Sequence, residues 1–349
     1  MLLRMTPTAL LGPFLMTGVL LGVTAAPVRA QTTLYDDFNA PQINPDNWLG
    51  VQPQFGAQGG LELVRDIDFD PTSLQGSLLM SHRVAGGTST NAGQRDSRNR
   101  LLFLNPAAIT AVKFDVAVTQ FSLLGCSEPG SAPTLVFPQF LGFLFNDGSS
   151  TGPQDTTGDI GASVGLSRRS DSADPPGVLR AFGTLFRCTG PSQCLSFEST
   201  FVNLGPVGTG ETVTLRMSWD QAGKRVDFQK NADAVQSIPY TQDDSRPPSL
   251  AFKALEVVGR AANCTVAPRP VAEVTASFDN VFVTNVVAQG LSDPSVWSPF
   301  AGGSAPTITI ANPTRIELAL PAIGDDSNFS IAAFGSSQFF ANQEVRVAF

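Results

Sequence analysis

The chain has 349 residues, a formal net charge of −8 and a charged fraction of only 15%. That acidic balance excludes the basic stripe with which a protein replaces the counterions of nucleic acid or an anionic membrane surface. Thirty-two Gly, 26 Pro and 25 Phe against 2 Tyr and 3 Trp suit short strands, frequent turns and a Phe-packed core.

Residues 1–30 read as a signal peptide: Arg4 precedes the apolar run Ala9 to Val23, and Val28-Arg29-Ala30 offers a cleavage site before Gln31. No later apolar run approaches the ~20 residues of a membrane span, and no Cys follows the cleavage site to take a lipid. The expectation is an exported protein, secreted or periplasmic, with an uncleaved anchor as the alternative.

Leu34 to Phe38 opens the mature chain as a short strand, and Pro45-Asp-Asn-Trp48 is a turn that places a Trp. Leu61 to Val64 and Gly76 to Met80 read as strands, and the polar stretch from Ala85 to Arg100 as a long loop. Val112, Phe114, Val116 and Val118 then alternate with polar or small residues, the period of a half-buried strand. Leu135 to Phe145 is apolar on both faces and predicts a buried central strand interrupted by Pro138. After a polar loop over 148–161, strands are predicted over 163–166, 178–186 and 195–202. The clearest hairpin signal follows. Val213, Leu215, Met217 and Trp219 alternate, Asp220 to Lys224 turns the chain, and Val226 and Phe228 resume the alternation. Strands over 250–258 and 274–287 close the domain. More than a dozen short strands without a convincing helix predict two antiparallel sheets packed face to face.

Cys126, Cys188, Cys194 and Cys264 form an even set in an exported chain, the setting in which disulfides persist. Of the three pairings available, Cys188–Cys194, closing a short loop, with Cys126–Cys264 as a long-range bridge is favoured. Zinc is the rival, but there is no C-x-x-C and His82 is the sole histidine.

The YDDF segment with its following Trp, the TLRMSWDQAGKRVDFQKN hairpin and the terminal SFDNVFV together resemble the concanavalin A-like lectin and glucanase superfamily, which includes laminin G-like domains. The likeness covers roughly residues 31–288 and implies an all-β, two-sheet antiparallel jelly-roll sandwich. It further implies that the first and last strands are neighbours, bringing Asp36 and Asp37 near Asp279 and Asn280. A structural Ca²⁺ near those joined termini, with Asp37 and Asp279 as oxygen ligands, is part of that implication. Asp147, Asp155 and Asp159 form an alternative site. Residues 289–349 carry a partial second β unit, in which Trp297 and the strands after it echo the order seen after Trp48; they read as an incomplete second sandwich.

The glucanases of this superfamily carry an E-x-D-x-x-E strand, and none occurs here. Its nearest match, Asp66-Ile-Asp-Phe-Asp70, is followed directly by Pro71. Gly161-Ala-Ser-Val-Gly165 fits a nucleophile pattern but lacks a later His and a following helix. The reading is therefore an exported, non-catalytic module binding a polysaccharide or glycoprotein glycan, or mediating adhesion. The alternatives are a glycoside hydrolase of the same fold using Asp66 or Asp68, and a purely structural module of a surface protein. Sugar-stacking candidates are Trp48, Tyr240 and Trp297, and Arg95, Arg98, Arg100, Arg168 and Arg169 are the candidate basic patch for acidic glycans.

Overall fold

The computed structural model describes residues 32–44, 47–49, 60–88, 94–152, 154–284, 297–303, 307–312, 315–319 and 330–336, with backbone only for 60–62 and from 297 onward. The predicted signal peptide lies outside the described residues.

Sheet I has eight strands in the order β13-β12-β11-β6-β15-β4-β3, with β1 also pairing to β15. These are β1 (Thr32–Asp36), β3 (Gly60–Asp70), β4 (Gln75–Ala85), β6 (Ala111–Leu124), β11 (Val213–Asp220), β12 (Arg225–Lys230), β13 (Gln236–Pro239) and β15 (Val271–Thr284). Sheet II has seven, in the order β10-β9-β8-β7-β14-β5-β2. They are β2 (Trp48–Leu49), β5 (Gln94–Phe103), β7 (Leu135–Asn146), β8 (Asp159–Arg169), β9 (Val178–Cys188), β10 (Phe197–Gly208) and β14 (Lys253–Ala262). Every pairing within the two sheets is antiparallel, and the only helical element among the described residues is the 3-10 turn Pro106–Ala108.

One core cluster fills the space between the sheets. Sheet I contributes Leu78, Met80, Phe114, Val116, Met217, Phe228 and Phe278, and sheet II contributes Leu101, Phe103, Phe140, Val164, Leu185 and Val257. This is the jelly-roll sandwich that the resemblance implies, and β1 pairs with β15 so that Asp36 lies opposite Val281. The hairpin at 213–230 pairs as its alternation predicts, Met217 opposite Phe228 and Trp219 opposite Val226.

Two local expectations are corrected. Pro138 does not break β7, which runs unbroken from Leu135 to Asn146. It opens a gap in the ladder to β8 at Phe137 and Pro138, because proline has no N–H to donate, while the register on either side is unchanged. The stretch from Ala85 to Arg100 is not all loop: from Gln94 it is strand β5, paired with β14 from Gln94 to Leu102. Its inward residues at 97 and 99 are Ser and Asn, so it lacks the apolar alternation that marks a strand.

Both disulfides are formed, Cys126–Cys264 over a separation of 138 residues and Cys188–Cys194 over 6. No helix among the described residues is long and apolar enough to cross a membrane. Strands β16 (Trp297–Gly303) and β19 (Ser330–Ser336) pair with each other, as do β17 (Thr307–Asn312) and β18 (Arg315–Ala319).

Candidate functional site

Side chains alternate across a strand, so each strand of sheet II that feeds the core also presents an outer row. On β14, Leu255 and Val257 enter the core while Glu256 and Val258 face the other way. Phe137, Phe182 and Val258, with Leu135, form a separate apolar cluster on that outer face.

The antiparallel register lines up one residue from each of six strands in a row across this face: Arg100, Glu256, Gln139, Gly165, Phe182 and Asn203. The neighbouring row is Leu102, Ala254, Leu141, Ser163, Thr184 and Phe201. At about 4.8 Å between strands, each row spans roughly 24 Å.

One end of the rows is polar. The fully buried Glu256 carboxylate accepts hydrogen bonds from Gln139 Nε2 at 2.7 Å and Arg100 Nε at 2.8 Å, and Arg98 Nη1 stands 3.7 Å away. Asp96 bridges Arg98 and Arg260, at 3.2 and 2.7 Å. Three guanidiniums thus face two carboxylates, leaving one positive charge. Burial pushes the Glu256 carboxyl up, but the arginines and the bond from Gln139 outweigh it and hold Glu256 below its ordinary range. Asp96 is held down in the same way by Arg98 and Arg260. Both carboxylates therefore stay ionised at neutral pH, and neither has the raised affinity of a proton donor.

The other end is aromatic. Phe201 stacks on Phe182 with ring centroids 5.9 Å apart and planes 16° from parallel. Phe197 meets Phe186, which meets Phe143, which meets Phe252, and Arg100 lies 4.5 Å over the Phe252 ring. Phe197 and Phe201 are 49% and 56% exposed, whereas most other phenylalanines among the described residues are buried. Between the two ends the floor is small. A Cβ at Gly165 would sit 2.4 Å from the Pro138 carbonyl oxygen, and one at Gly161 2.4 Å from the Phe186 ring.

Of the basic patch, Arg98 and Arg100 belong to this site, whereas Arg168 donates to the carbonyls of Asp174, Pro175 and Val178 and Arg169 pairs with Asp171. Trp48 and Tyr240 are not sugar platforms: they are 1% and 6% exposed core residues. Trp48 donates to Asp36, and Tyr240 bonds Trp219 and Asp244. The Trp297 side chain lies outside the described residues. Asp66 and Asp68, the hydrolase alternative, are exposed on β3 at the edge of sheet I, away from this face. Ser163 lies mid-strand in β8.

Glu256 and Gln139 escaped the sequence reading, although each is the lone strongly polar residue in an apolar run, a signal that can be looked for. Arg98 and Arg100 could be named but not placed, because β5 does not read as a strand.

Asp37, just past the end of β1, is near enough to Asp279 on β15 to act on it electrostatically. Burial, with Asp115, Asp37 and Asp36 nearby, drives the Asp279 carboxyl up to about 6 against the pull of the Asn280 N–H. The oxygens are of the kind Ca²⁺ takes, and the raised carboxyl marks negative charge that a cation would offset. They also accept from protein donors: Asp37 from the Asn39 N–H, Asp279 from the Asn280 N–H and amide. At the alternative site the donors are bound locally, Asp155 by Thr151 and Thr157, Asp159 by Asn146, Ser249 and Leu250, and Asp147 by Arg187. The group Cys126, Glu128 and Cys264 brings three donor atoms within 4.8 Å, but its two sulfurs are joined to each other.

No family model matches this sequence, and no curated protein does. Among solved structures the chain is similar to a Bacillus licheniformis β-glucanase, with 11% identity, 73% of this chain and 98% of that one covered, and a TM-score of 0.37. A laminarinase from Flavobacterium sp. UMI-01 gives 9% identity, 70% and 97% coverage and a TM-score of 0.34. The carbohydrate-binding module CBM66 from Bacillus subtilis gives 9%, 64% and 94%, and 0.27. The expectation of a non-catalytic chain is corrected at this point. Most of the similar structures are named as enzymes, glucanases, lyases and an endo-β-galactosidase among them, and 9–12% identity leaves enzyme status unresolved.

Proposed function

We propose that the chain is an exported carbohydrate-recognising protein that takes a polysaccharide across the outer face of sheet II. The observation that carries this reading is the register row from Arg100 through Glu256, Gln139 and Gly165 to Phe182 and Asn203. Its accessible ends offer the half-buried Arg100 guanidinium and the exposed Asn203 beside the exposed Phe201 ring, over a floor closed by the buried Glu256, Gln139 and Gly165, and a sugar chain presents hydroxyls at its edges and apolar C–H faces between them. A row of roughly 24 Å suits an oligosaccharide segment rather than a single sugar.

The test is affinity electrophoresis against neutral and acidic polysaccharides, with release of reducing ends and of unsaturated sugar measured on the same samples. Retardation by at least one polysaccharide, lost in Phe201→Ala and weakened in Arg100→Lys, is expected. No retardation with any polymer, or retardation indifferent to both substitutions, overturns the proposal.

A further inference from the structure

The sandwich interior contains a polar site on the opposite side of sheet II from its outer face. His82 lies on β4 between Met80 and Val84, both core residues on the same face, and is itself fully buried. Neither of its ring nitrogens has a hydrogen-bond partner, and the same holds for Ser97 Oγ and Asn99 Oδ1, at 3% and 0% exposure.

These residues face one another across the two sheets. Asn99 on β5 donates to the backbone carbonyls of Val64 at 2.8 Å and Ser81 at 3.3 Å, so it sits against β4 one residue before His82. Ser97 pairs with Gly259, where an added Cβ would lie 2.7 Å from Val84 Cγ1, so Ser97 lies toward Val84, two residues beyond His82. The two β5 residues thus lie to either side of His82 along β4.

A buried polar atom left unmade costs about 1–3 kcal/mol, so the Ser97 hydroxyl, the Asn99 amide oxygen and one of the two diverging ring nitrogens point to a shared partner. Burial pushes the imidazole down to about 4, so at neutral pH it is uncharged, with one donor and one acceptor. The groups beside it are a hydroxyl and an amide oxygen, neutral hydrogen-bonding groups that suit a neutral polar molecule rather than a metal ion. The close approach of Gly259 to Val84 limits its size.

We infer that His82, Ser97 and Asn99 form a built-in water site that bridges sheet I to sheet II. A water there accepts from or donates to the imidazole, donates to Asn99 Oδ1 and bonds the Ser97 hydroxyl, reaching the two to four partners typical of an enclosed water.

His82 is the sole histidine, so ¹⁵N-detected imidazole NMR reads this site without assignment ambiguity. Expected are one dominant neutral tautomer, a cross peak from its ring N–H to a long-lived water, and ring N–H exchange slowed by about two orders of magnitude or more relative to an exposed imidazole. Ser97→Ala is expected to shift the tautomer ratio and speed that exchange. A ring N–H that shows cross peaks to aliphatic protons and none to water overturns the inference, and so does a tautomer ratio unchanged in folded Ser97→Ala. Should that variant not fold, the wild-type water cross peak decides alone.

Discussion

Asp279 is held in a state the unfolded chain would not choose. Its carboxyl is raised to about 6 in the fold against the ordinary 3.8 of an aspartate, so between those values the folded protein binds more protons than the unfolded one. Stability from this residue is therefore fully present below pH 3.8 and is lost as pH rises through about 6. Discounted for the partial exposure of the group, the loss is about 1–2 kcal/mol. Asp279→Asn is expected to flatten the Tm–pH profile between pH 4 and 6 and to raise Tm at pH 7. The calcium proposal is checked on the same pair: millimolar Ca²⁺ should raise the wild-type Tm and leave Asp279→Asn unmoved, and equal Tm values with and without Ca²⁺ in wild type would count against it. Lys253 is the basic counterpart. It is buried, donates to the Pro106 carbonyl at 2.7 Å and is pushed down to about 7 by burial alone. Its folded value lies below its unfolded one, so stability falls as pH drops from 10.5 to about 7 and is level below that. Lys253→Met is expected to stabilise by a few kcal/mol at pH 7, read from the urea midpoint, and by almost nothing above pH 11. Neither effect could be read from the sequence: Lys253 and Asp279 sit in strand patterns where a solvated charge is the ordinary expectation.

Strands meet here through glycine as much as through large residues. Phe228, from the hairpin at the edge of sheet I, rests on Gly183 of β9 so closely that an added Cβ would lie 2.3 Å from its ring. That contact ties the two sheets together at the far end from β3. Gly183→Ala forces either the ring or the strand to move, and a loss of roughly 2–3 kcal/mol is expected in denaturant unfolding. The hairpin's own pairing was legible because Val213, Leu215, Met217 and Trp219 repeat with period two. β5 was not legible, because Ser97 and Asn99 point into the sandwich where a strand ordinarily places Val or Leu. The same two residues that hid the strand are the ones that face His82. β7 was legible as a central strand, but the tolerance of Pro138 was not, since it depends on which neighbour would have received the missing N–H.

Across the whole molecule, the two disulfides constrain very different lengths of chain. In the chain-entropy picture, closing 138 residues through Cys126–Cys264 restricts the unfolded state by about 5 kcal/mol, and closing 6 through Cys188–Cys194 by about 2.2 kcal/mol. Replacing Cys126 and Cys264 by Ala is therefore expected to lower Tm about twice as far as replacing Cys188 and Cys194. Equal losses would show that strain or residual structure, not loop length, governs both bridges.

The sequence by itself determined the all-β class and the clearest hairpin, because period-two alternation and turn residues act over a few positions at a time; that the first and last strands are neighbours was implied by the resemblance alone and is seen in the β1–β15 pairing. The sequence supplied the disulfide partners only as one of three options. The site was decided by tertiary structure alone. Arg100, Glu256, Gln139, Gly165, Phe182 and Asn203 are spread over more than a hundred residues of chain, and only the register of five antiparallel pairings sets them in one row. A strand's alternation says which residues share a face, but not which residue of the next strand stands beside them.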